Sequence, residues 1–330
     1  MNATTANLDA ILAAIAQGVE QVEIELRDLV HSPVRTVAEV GEHTLNAGGK
    51  RLRPAFVTLA ARATGRPFDP QRAIRIGACL ELVHMATLIH DDVIDNAATR
   101  RGRATAAAIY GNTASILSGD VMLAKAMVVL ADDGDIDVIR AVSRAVVEMA
   151  EGEAREVETR GRFDLSEEDH LEILGMKTAA FVECCCLVGG MLAGASKEVQ
   201  QSLATYGRHV GLAFQIADDL LDFRGDQAVT GKPLATDFRE GCATLPLIRL
   251  RPLLDANEES HLREKFGNGV TDSEIHDLVR LMDERGATRE AEAAAKGQID
   301  LATRALSALP GSENRDLLVT IAEFVLSRRA

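Results

Sequence analysis

The sequence is poor in aromatic side chains and has no tryptophan: Phe, Trp and Tyr together make up 3% of its 330 residues. Its apolar residues, 47% of the chain, are therefore mostly aliphatic, a composition typical of helical proteins. The five cysteines form no CxxC pair, and three of them are adjacent at 184–186. This pattern does not suit a zinc site or a disulfide framework, and it predicts small, buried helix residues in a reducing compartment.

Signals for export or for membrane insertion are lacking as well. We expect no apolar run of the about 18 residues that a membrane span needs. The first ten residues, MNATTANLDA, lack the basic region and apolar stretch of a signal peptide. These absences predict a cytoplasmic protein. The net charge of −14 argues against nucleic acid as a partner, although cations held by carboxylates would still admit a small anionic ligand.

What the sequence does have is helical periodicity over nearly its whole length. Apolar residues recur at helical spacing, whereas no run shows the alternation of a strand. There is no low-complexity linker and no short-period repeat, so we predict one all-α domain over residues 1–330. The longest predicted helices are Leu8–Val30, one ending in HDDVID, Gly111–Ala131, Asp135–Thr159, Ser166–Ala193 and Lys197–Phe223.

Two aspartate-rich motifs close two of these apolar helices. The first is Asp91, Asp92 and Asp95, and the second, also DDxxD, is Asp218, Asp219 and Asp222. In each motif the first and last carboxylates are four residues apart and share a helix face, where they repel each other. The C-terminal end of a helix is also unfavourable for anions. Two such penalties at matching positions predict that a cation completes each site, and oxygen ligands of this kind favour Mg²⁺ shared with phosphate oxygens.

Basic residues accompany both motifs. The segment GGKRLRP places Lys50, Arg51 and Arg53 on a glycine-led turn before a helix, a position suited to an anion. Arg100 and Arg101 follow the first motif. Lys177 lies in an otherwise apolar helix, and Lys232 lies in the loop after the second motif. Together these residues predict a pocket for two polyphosphates.

At this point the sequence resembles a known family. GGKRLRP, HMATLIHDDVIDNAATRRG, the Lys177–Thr178 pair and GLAFQIADDLLDFRGDQAVTGKP occur in the order and spacing of the trans-polyprenyl diphosphate synthases. The resemblance covers roughly residues 40–250 and implies an all-α, single-domain helical bundle around a central cavity, the isoprenoid synthase fold, in a homodimer. The reaction it implies is the head-to-tail condensation of an allylic diphosphate with isopentenyl diphosphate.

The resemblance also assigns roles to individual residues. About three Mg²⁺ ions would be held by the six aspartates of the two motifs and would bind the allylic diphosphate. Lys177, Lys232 and Arg100 match residues that bind the same diphosphate. Thr178 and Gln215 match positions near the reacting carbons. The isopentenyl diphosphate site would be formed by Lys50, Arg51, Arg53, His84 and Arg101.

Several residues depart from the family pattern. Cys242 stands where many members have lysine, and Glu156 stands where glutamine is common. Ala235 and Ala104 replace a common glycine and a common proline. None of these changes removes a predicted metal ligand. They bear on affinity and rate more than on the class of reaction.

Product length is predicted from the residues one helical turn before Asp91. Ala86 and Thr87 are small, whereas short-chain members often have Phe or Tyr at this level, so we expect a product of about thirty to fifty carbons. The growing tail would run along Leu80, Val83 and Met85. The alternative is that Met122, Met127 or Phe181 closes this path, as in a geranylgeranyl or farnesyl diphosphate synthase. The lipophilic product would allow peripheral contact with a membrane.

Three other classes of protein share some of these features. A class I terpene cyclase would have an NSE or DTE motif in place of the second DDxxD. A di-iron helical bundle needs paired ExxH motifs, and the three occurrences here, ending at His84, His170 and His261, are scattered. A non-catalytic partner subunit would be expected to lose one aspartate motif, whereas this chain keeps both.

Overall fold

The structure, a computed structural model, describes residues 18–224 and 233–327. The first half contains α1 at residues 18–30, α2 Arg35–Asn46, α3 Leu52–Ala63, α4 Pro70–Ile94, α5 Ala106–Tyr110, α6 Asn112–Asp133 and α7 Ile136–Thr159. The second half contains α8 Glu167–Leu174, a π-helix Gly175–Ala179, α9 Ala180–Leu192, α10 Lys197–Arg224, α11 Thr236–Glu240, α12 Leu245–Leu250, α13 Ala256–Lys265, α14 Asp272–Arg285, α15 Ala287–Ala305 and α16 Glu313–Ser327. Short 3₁₀ turns are found at Arg251–Leu253 and Leu306–Ala308. The prediction of an all-α fold is confirmed.

The chain contacts divide into two compact units. Unit 1 comprises described residues of Met1–Val146, Cys184–Ala204 and Ala308–Leu318. Unit 2 comprises described residues of Val147–Glu183, Thr205–Ser307 and Val319–Ala330. The single domain over residues 1–330 stays a prediction.

Helix α4 is the central helix of unit 1. It begins at Pro70, after the Asp69 side chain accepts hydrogen bonds from two backbone N–H groups of the first turn, which are otherwise unpaired. It packs against α3 and α6. Leu80, Val83 and Ala86 are fully buried. Because this helix is so well anchored, the acidic residues at its C-terminal end have a defined position.

Unit 2 has its own aromatic and aliphatic core. The ring of Phe266 packs edge-on against Phe163 and Phe238, at centroid distances of 5.5 and 5.3 Å. The helices that surround this core begin at clear signals: α13 and α14 each open with a capping box, at Asp255 and Thr271 respectively. This core also contains Ala235 and Phe238, which lie beyond the second acidic motif.

Three sequence-based expectations need correction. A two-stranded antiparallel hairpin, β1 Thr99–Arg100 and β2 Arg103–Ala104, lies where no strand was predicted. Helix α3 begins at Leu52, so Arg53 lies in its first turn and not on the turn that precedes it. The predicted helix Ser166–Ala193 is interrupted by the π-helix, which contains Lys177 and Thr178.

The expectation that no segment is long and apolar enough to span a membrane is also wrong. Helices α4 and α6 both pass that test. In α4, 72% of the apolar window is buried inside the protein, against 39% in α6. Core helices of soluble proteins pass the same test, so two such helices are weak evidence for a membrane span.

Candidate active site

The first acidic motif lies at the C-terminal end of α4, as predicted. Asp91 and Asp92 belong to the last turn, and Asp95 is the residue that caps it. Asp92 is buried, and its carboxylate accepts a hydrogen bond of 2.7 Å from Nε of Arg100. The structure therefore brings together one predicted metal ligand and one predicted diphosphate ligand.

The β-hairpin explains how the paired arginines are presented. Its two central residues, Arg101 and Gly102, have φ angles of 53° and 73°, as a type I′ turn requires. This turn directs the chain back towards α2, where Arg101 donates to the backbone carbonyl of Gly48. The glycine-led turn and the arginine pair, far apart in sequence, are therefore in contact.

A pocket of unit 1 collects most of the predicted isopentenyl diphosphate ligands. Burial, followed by the charges of Arg53, Arg101, Arg100 and Arg51, holds the pKa of His84 well below its usual range. The ring is therefore neutral at pH 7. Burial and the neighbouring Arg100 also lower the pKa of Arg101. Positive charge this concentrated favours an anion. Residues lining the pocket include His43, Gly48, Arg51, His84, Asp92, Arg100 and Arg101.

Arg51 lies in this pocket, but its guanidinium group is engaged within the protein. Nε lies 2.6 Å from a carboxylate oxygen of Glu23, and Nη1 lies 3.2 Å from one of Glu81. Nη2 donates to the carbonyl oxygen of Leu45. The side chain is only 3% exposed. These contacts favour a structural role for Arg51, and its role in substrate binding stays a prediction.

The other two basic residues of GGKRLRP differ in exposure. Lys50 is exposed to solvent. Arg53 is half-buried, and its Nε is buried without a hydrogen-bond partner. An unpaired buried donor is costly unless a ligand or water satisfies it. Arg53 thus fits an anion better than Arg51 does.

The second acidic motif lies near the C-terminal end of α10, again as predicted. Asp219 is buried, and its Oδ2 is 2.8 Å from Nε2 of His170. Asp222 accepts hydrogen bonds of 3.0 and 3.1 Å from the backbone N–H groups of Thr236 and Asp237. The start of α11 thereby holds Asp222 in place.

This motif lines a pocket of about 380 Å³ in unit 2. Burial, followed by the negative charges of Asp222, Asp219 and Glu156, raises the pKa of Asp237 well above its usual range. The cavity is thus rich in carboxylates. Its lining residues include Glu156, His170, Lys177, Gln215, Asp218, Asp219, Asp222, Asp237, Cys242 and Thr244.

The remaining predicted residues of this site fall into two groups. Lys177 and Gln215 line the unit 2 pocket, and Thr178 follows Lys177 in the π-helix. Lys232 lies outside the described residues. Within the described ranges, no group of three or more His, Cys, Asp or Glu side chains is arranged to hold a metal ion. The donor chemistry of the unit 2 pocket nevertheless fits Mg²⁺, because its carboxylates offer only oxygen ligands and excess negative charge.

Sequence reasoning missed two residues that line this pocket and a third that contacts its lysine. Asp237 is fifteen residues beyond Asp222, and their contact depends on the fold of α11. His170 was noted only as part of an ExxH pattern, whereas the structure places it on Asp219. Glu153 precedes Glu156 by one helical turn and contacts Lys177 with it. The i, i+3 spacing of the two glutamates was the available signal.

The chain is similar over nearly its whole length to proteins of known sequence and structure. The family model described as polyprenyl synthetase matches residues 34–282. The octaprenyl diphosphate synthase of Escherichia coli is 33% identical, over 98% of this chain and 99% of that protein. Component 2 of the heptaprenyl diphosphate synthase of Geobacillus stearothermophilus is also 33% identical, over 97% of this chain and 99% of its own. The crystal structure of a polyprenyl synthase from Caulobacter crescentus, complexed with calcium and isoprenyl diphosphate, is 33% identical and superimposes with a TM-score of 0.91, covering 98% of both chains.

Proposed function

The chain belongs to the polyprenyl synthetase family and is a trans-prenyltransferase with the isoprenoid synthase fold, and we propose that it condenses isopentenyl diphosphate with an allylic diphosphate in a Mg²⁺-dependent reaction. The observation that carries the proposal is the unit 2 pocket. Its acidic motif and the ammonium group of Lys177 line one cavity. Carboxylates for a cation and a lysine for an anion are the combination that a metal-bound diphosphate requires.

The residues present suit Mg²⁺. In unit 2, Mg²⁺ would be held by Asp218, Asp219 and Asp222. In unit 1, Mg²⁺ would be held by Asp91, Asp92 and Asp95. When bound, Mg²⁺ neutralises the charge that builds on a departing diphosphate. A solved relative of similar fold contains calcium with an isoprenyl diphosphate, which supports an oxygen-rich cation site in this family.

The chain's own side chains would orient the two substrates. Lys177 of unit 2 would bind the allylic diphosphate, while Arg53, Arg101 and neutral His84 of unit 1 would bind isopentenyl diphosphate. The roles of Lys232 and Arg100 towards the allylic diphosphate stay predictions. The bond between C1 and the diphosphate oxygen breaks, and pyrophosphate leaves with the electron pair. The double bond of isopentenyl diphosphate then attacks C1, and the released pyrophosphate takes up the proton whose loss restores a double bond. Thr178 and Gln215 would place oxygens near the developing positive charge.

The product is a long all-trans chain, for which we propose about thirty to fifty carbons. Ala86 is fully buried and lies one helical turn before Asp91. A small side chain at this level leaves space for a growing tail. Two similar proteins are named as octaprenyl and heptaprenyl diphosphate synthases, which supports this length.

We also propose that the protein is a homodimer that pairs through α6. Leu117 and Val128 are each 57% exposed on this helix. They are three helical turns apart and therefore share a face, with Val121 and Ala124 between them. An exposed apolar stripe of this kind favours burial against a second copy. Replacing Leu117 and Val128 by Arg should yield a monomer in sedimentation analysis, and an unchanged dimer would exclude this face.

A cytoplasmic location, with membrane contact limited to delivery of the lipophilic product, completes the proposal. It rests on the burial of α4, of whose apolar window 72% lies inside the protein. A fluorescent fusion that fractionates with integral membrane proteins would contradict it.

The deciding experiment is an incubation of the purified chain alone with Mg²⁺, labelled isopentenyl diphosphate and farnesyl diphosphate. Dephosphorylated products are then resolved by chain length. A ladder reaching thirty carbons or more supports the reaction and the open path at Ala86. A stop at twenty carbons keeps the reaction and identifies a geranylgeranyl diphosphate synthase. No elongation without a second polypeptide would indicate a partner subunit, as the name of the Geobacillus relative suggests for that protein.

A further inference from the structure

Lys177, a predicted diphosphate ligand, is already held by two carboxylates. Its Nζ lies 2.9 Å from Oε2 of Glu153 and also contacts Oε2 of Glu156. All three side chains are mostly buried, with exposed fractions of 25%, 13% and 27% for Lys177, Glu153 and Glu156. Burial alone would lower the pKa of Lys177, but the two carboxylates outweigh it and the pKa lies above its usual range. The ammonium group is therefore charged, and the three side chains together carry a net negative charge.

A neutral group also lies near Glu156. Cys242 lines the same pocket. Burial, followed by the charges of Glu156 and Asp237, raises the pKa of the Cys242 thiol to about 12, so it is protonated at pH 7. Arg160 also contacts this thiol. Because the neutral thiol of Cys242 offers no positive charge to Glu156, the contact of Glu156 with Lys177 is retained.

This arrangement sets up a competition for one ammonium group. Lysine has three N–H donors, and two of them point to carboxylates here. A diphosphate that binds Lys177 must either displace Glu156 or accept its negative charge as a close neighbour. Either outcome weakens binding, since like charges at short range repel strongly in a partly buried site.

We infer that Glu156 limits the affinity of the unit 2 pocket for diphosphates by competing with them for Lys177. The inference rests on the proposed function, because it takes the ligand of Lys177 to be a diphosphate. Its consequence for the reaction is twofold. The allylic substrate binds less tightly than the cationic residues alone would allow, and the product pyrophosphate leaves more readily.

The test measures binding of inorganic pyrophosphate in the presence of Mg²⁺ by isothermal titration calorimetry. Glu156→Gln keeps the shape of the side chain and removes its charge, and we expect a dissociation constant about tenfold lower than that of the wild type. Glu156→Asp reaches the same end by another route: its side chain is one methylene shorter, so its carboxylate lies farther from Lys177, and binding should again tighten, to a smaller extent. Glu158→Gln is the matched control, since it removes an exposed charge from the same helix, and its affinity should stay within about twofold of the wild type.

Kinetics provide the second readout. For Glu156→Gln the KM for farnesyl diphosphate should fall, while kcat should fall or stay constant because pyrophosphate is released more slowly. Unchanged or weaker pyrophosphate binding in Glu156→Gln, with wild-type turnover intact, would overturn the role of Glu156 alone. A wild type that neither binds pyrophosphate nor elongates a prenyl chain would overturn the proposed function and this inference with it. If Glu156→Gln does not fold, as judged by circular dichroism, the result for Glu156→Asp decides.

Discussion

Replacing Arg51 by Met should destabilise unit 1. Replacing a residue that only binds a ligand would leave the stability of the protein unchanged. The side chains of Arg51 and Glu81 are only 3% and 4% exposed, and their atoms approach to 3.2 Å. The other carboxylate oxygen of Glu81 is already buried without a partner. Loss of the guanidinium group would leave Glu81 as an uncompensated buried charge, a change that costs about 3–5 kcal/mol.

The backbone does not confound this variant. Arg51 has a left-handed conformation, with φ 47° and ψ 45°, and Met keeps the same Cβ and hence the same local strain. The free energy of unfolding is measured by urea denaturation followed by far-UV circular dichroism. Lys50→Met is the matched control, because its exposed side chain should change stability by about 0.5 kcal/mol or less.

A double variant separates the buried charge from other causes. Arg51→Met with Glu81→Leu removes both members of the pair, and replacing a buried ion pair by apolar residues is often neutral. Glu23, which is 27% exposed, remains hydrated in this variant. The double variant should therefore recover most of the lost stability. An Arg51→Met protein that unfolds at the wild-type midpoint but has a raised KM for isopentenyl diphosphate would refute the reasoning and support direct substrate binding.

Three further predictions concern the two pockets and the thiols. Asp91→Ala or Asp218→Ala should lower turnover by orders of magnitude with an unchanged circular dichroism spectrum, and near-normal activity of either variant would contradict the metal assignment. Ala86→Phe should shorten the product towards about twenty carbons, because a ring one turn before Asp91 blocks the tail; an unchanged product ladder would place the tail elsewhere. Since burial raises the pKa of Cys242 to about 12, iodoacetamide should modify it very slowly at pH 8, with a rate that rises about tenfold per pH unit. The neutral thiol contributes to stability below the thiol pKa of the unfolded chain, and that contribution is lost as the pH rises towards about 12; modification at the rate of a free thiol would show that the pKa is not raised.

Features governed by local periodicity could be predicted from the sequence. Both acidic motifs lie at the C-terminal ends of apolar helices, because a helical repeat in the preceding residues places them there. The turn before α3 could also be predicted, because two glycines precede the run of cations. The structure agrees, since Gly48 has a φ of 76°. Local sequence signals were sufficient for these elements.

Contacts between distant segments could not be predicted in the same way. Arg51 meets Glu81 thirty residues away, and which of the cations in GGKRLRP would be buried depends on that packing. Asp237 lies beside Asp222 because the first turn of the short helix α11 contacts α10, where the backbone N–H of Asp237 donates to the Asp222 carboxylate. The hairpin at Arg101 was missed because its strands have only two residues each, too few for an alternating pattern.

The π-helix at Gly175–Ala179 has a consequence for how this segment tolerates changes in length. A π turn contains about one residue more than an α turn, so it is the geometry that results when a residue is added to a helix whose two ends are fixed by packing. Removal of one residue here would convert the turn to regular α-helix and leave the flanking helices in their places. The side chain of Lys177, however, would rotate by up to about 100°. Loss of one residue from this segment would therefore keep the fold of the protein but would move Lys177 out of its position in the pocket.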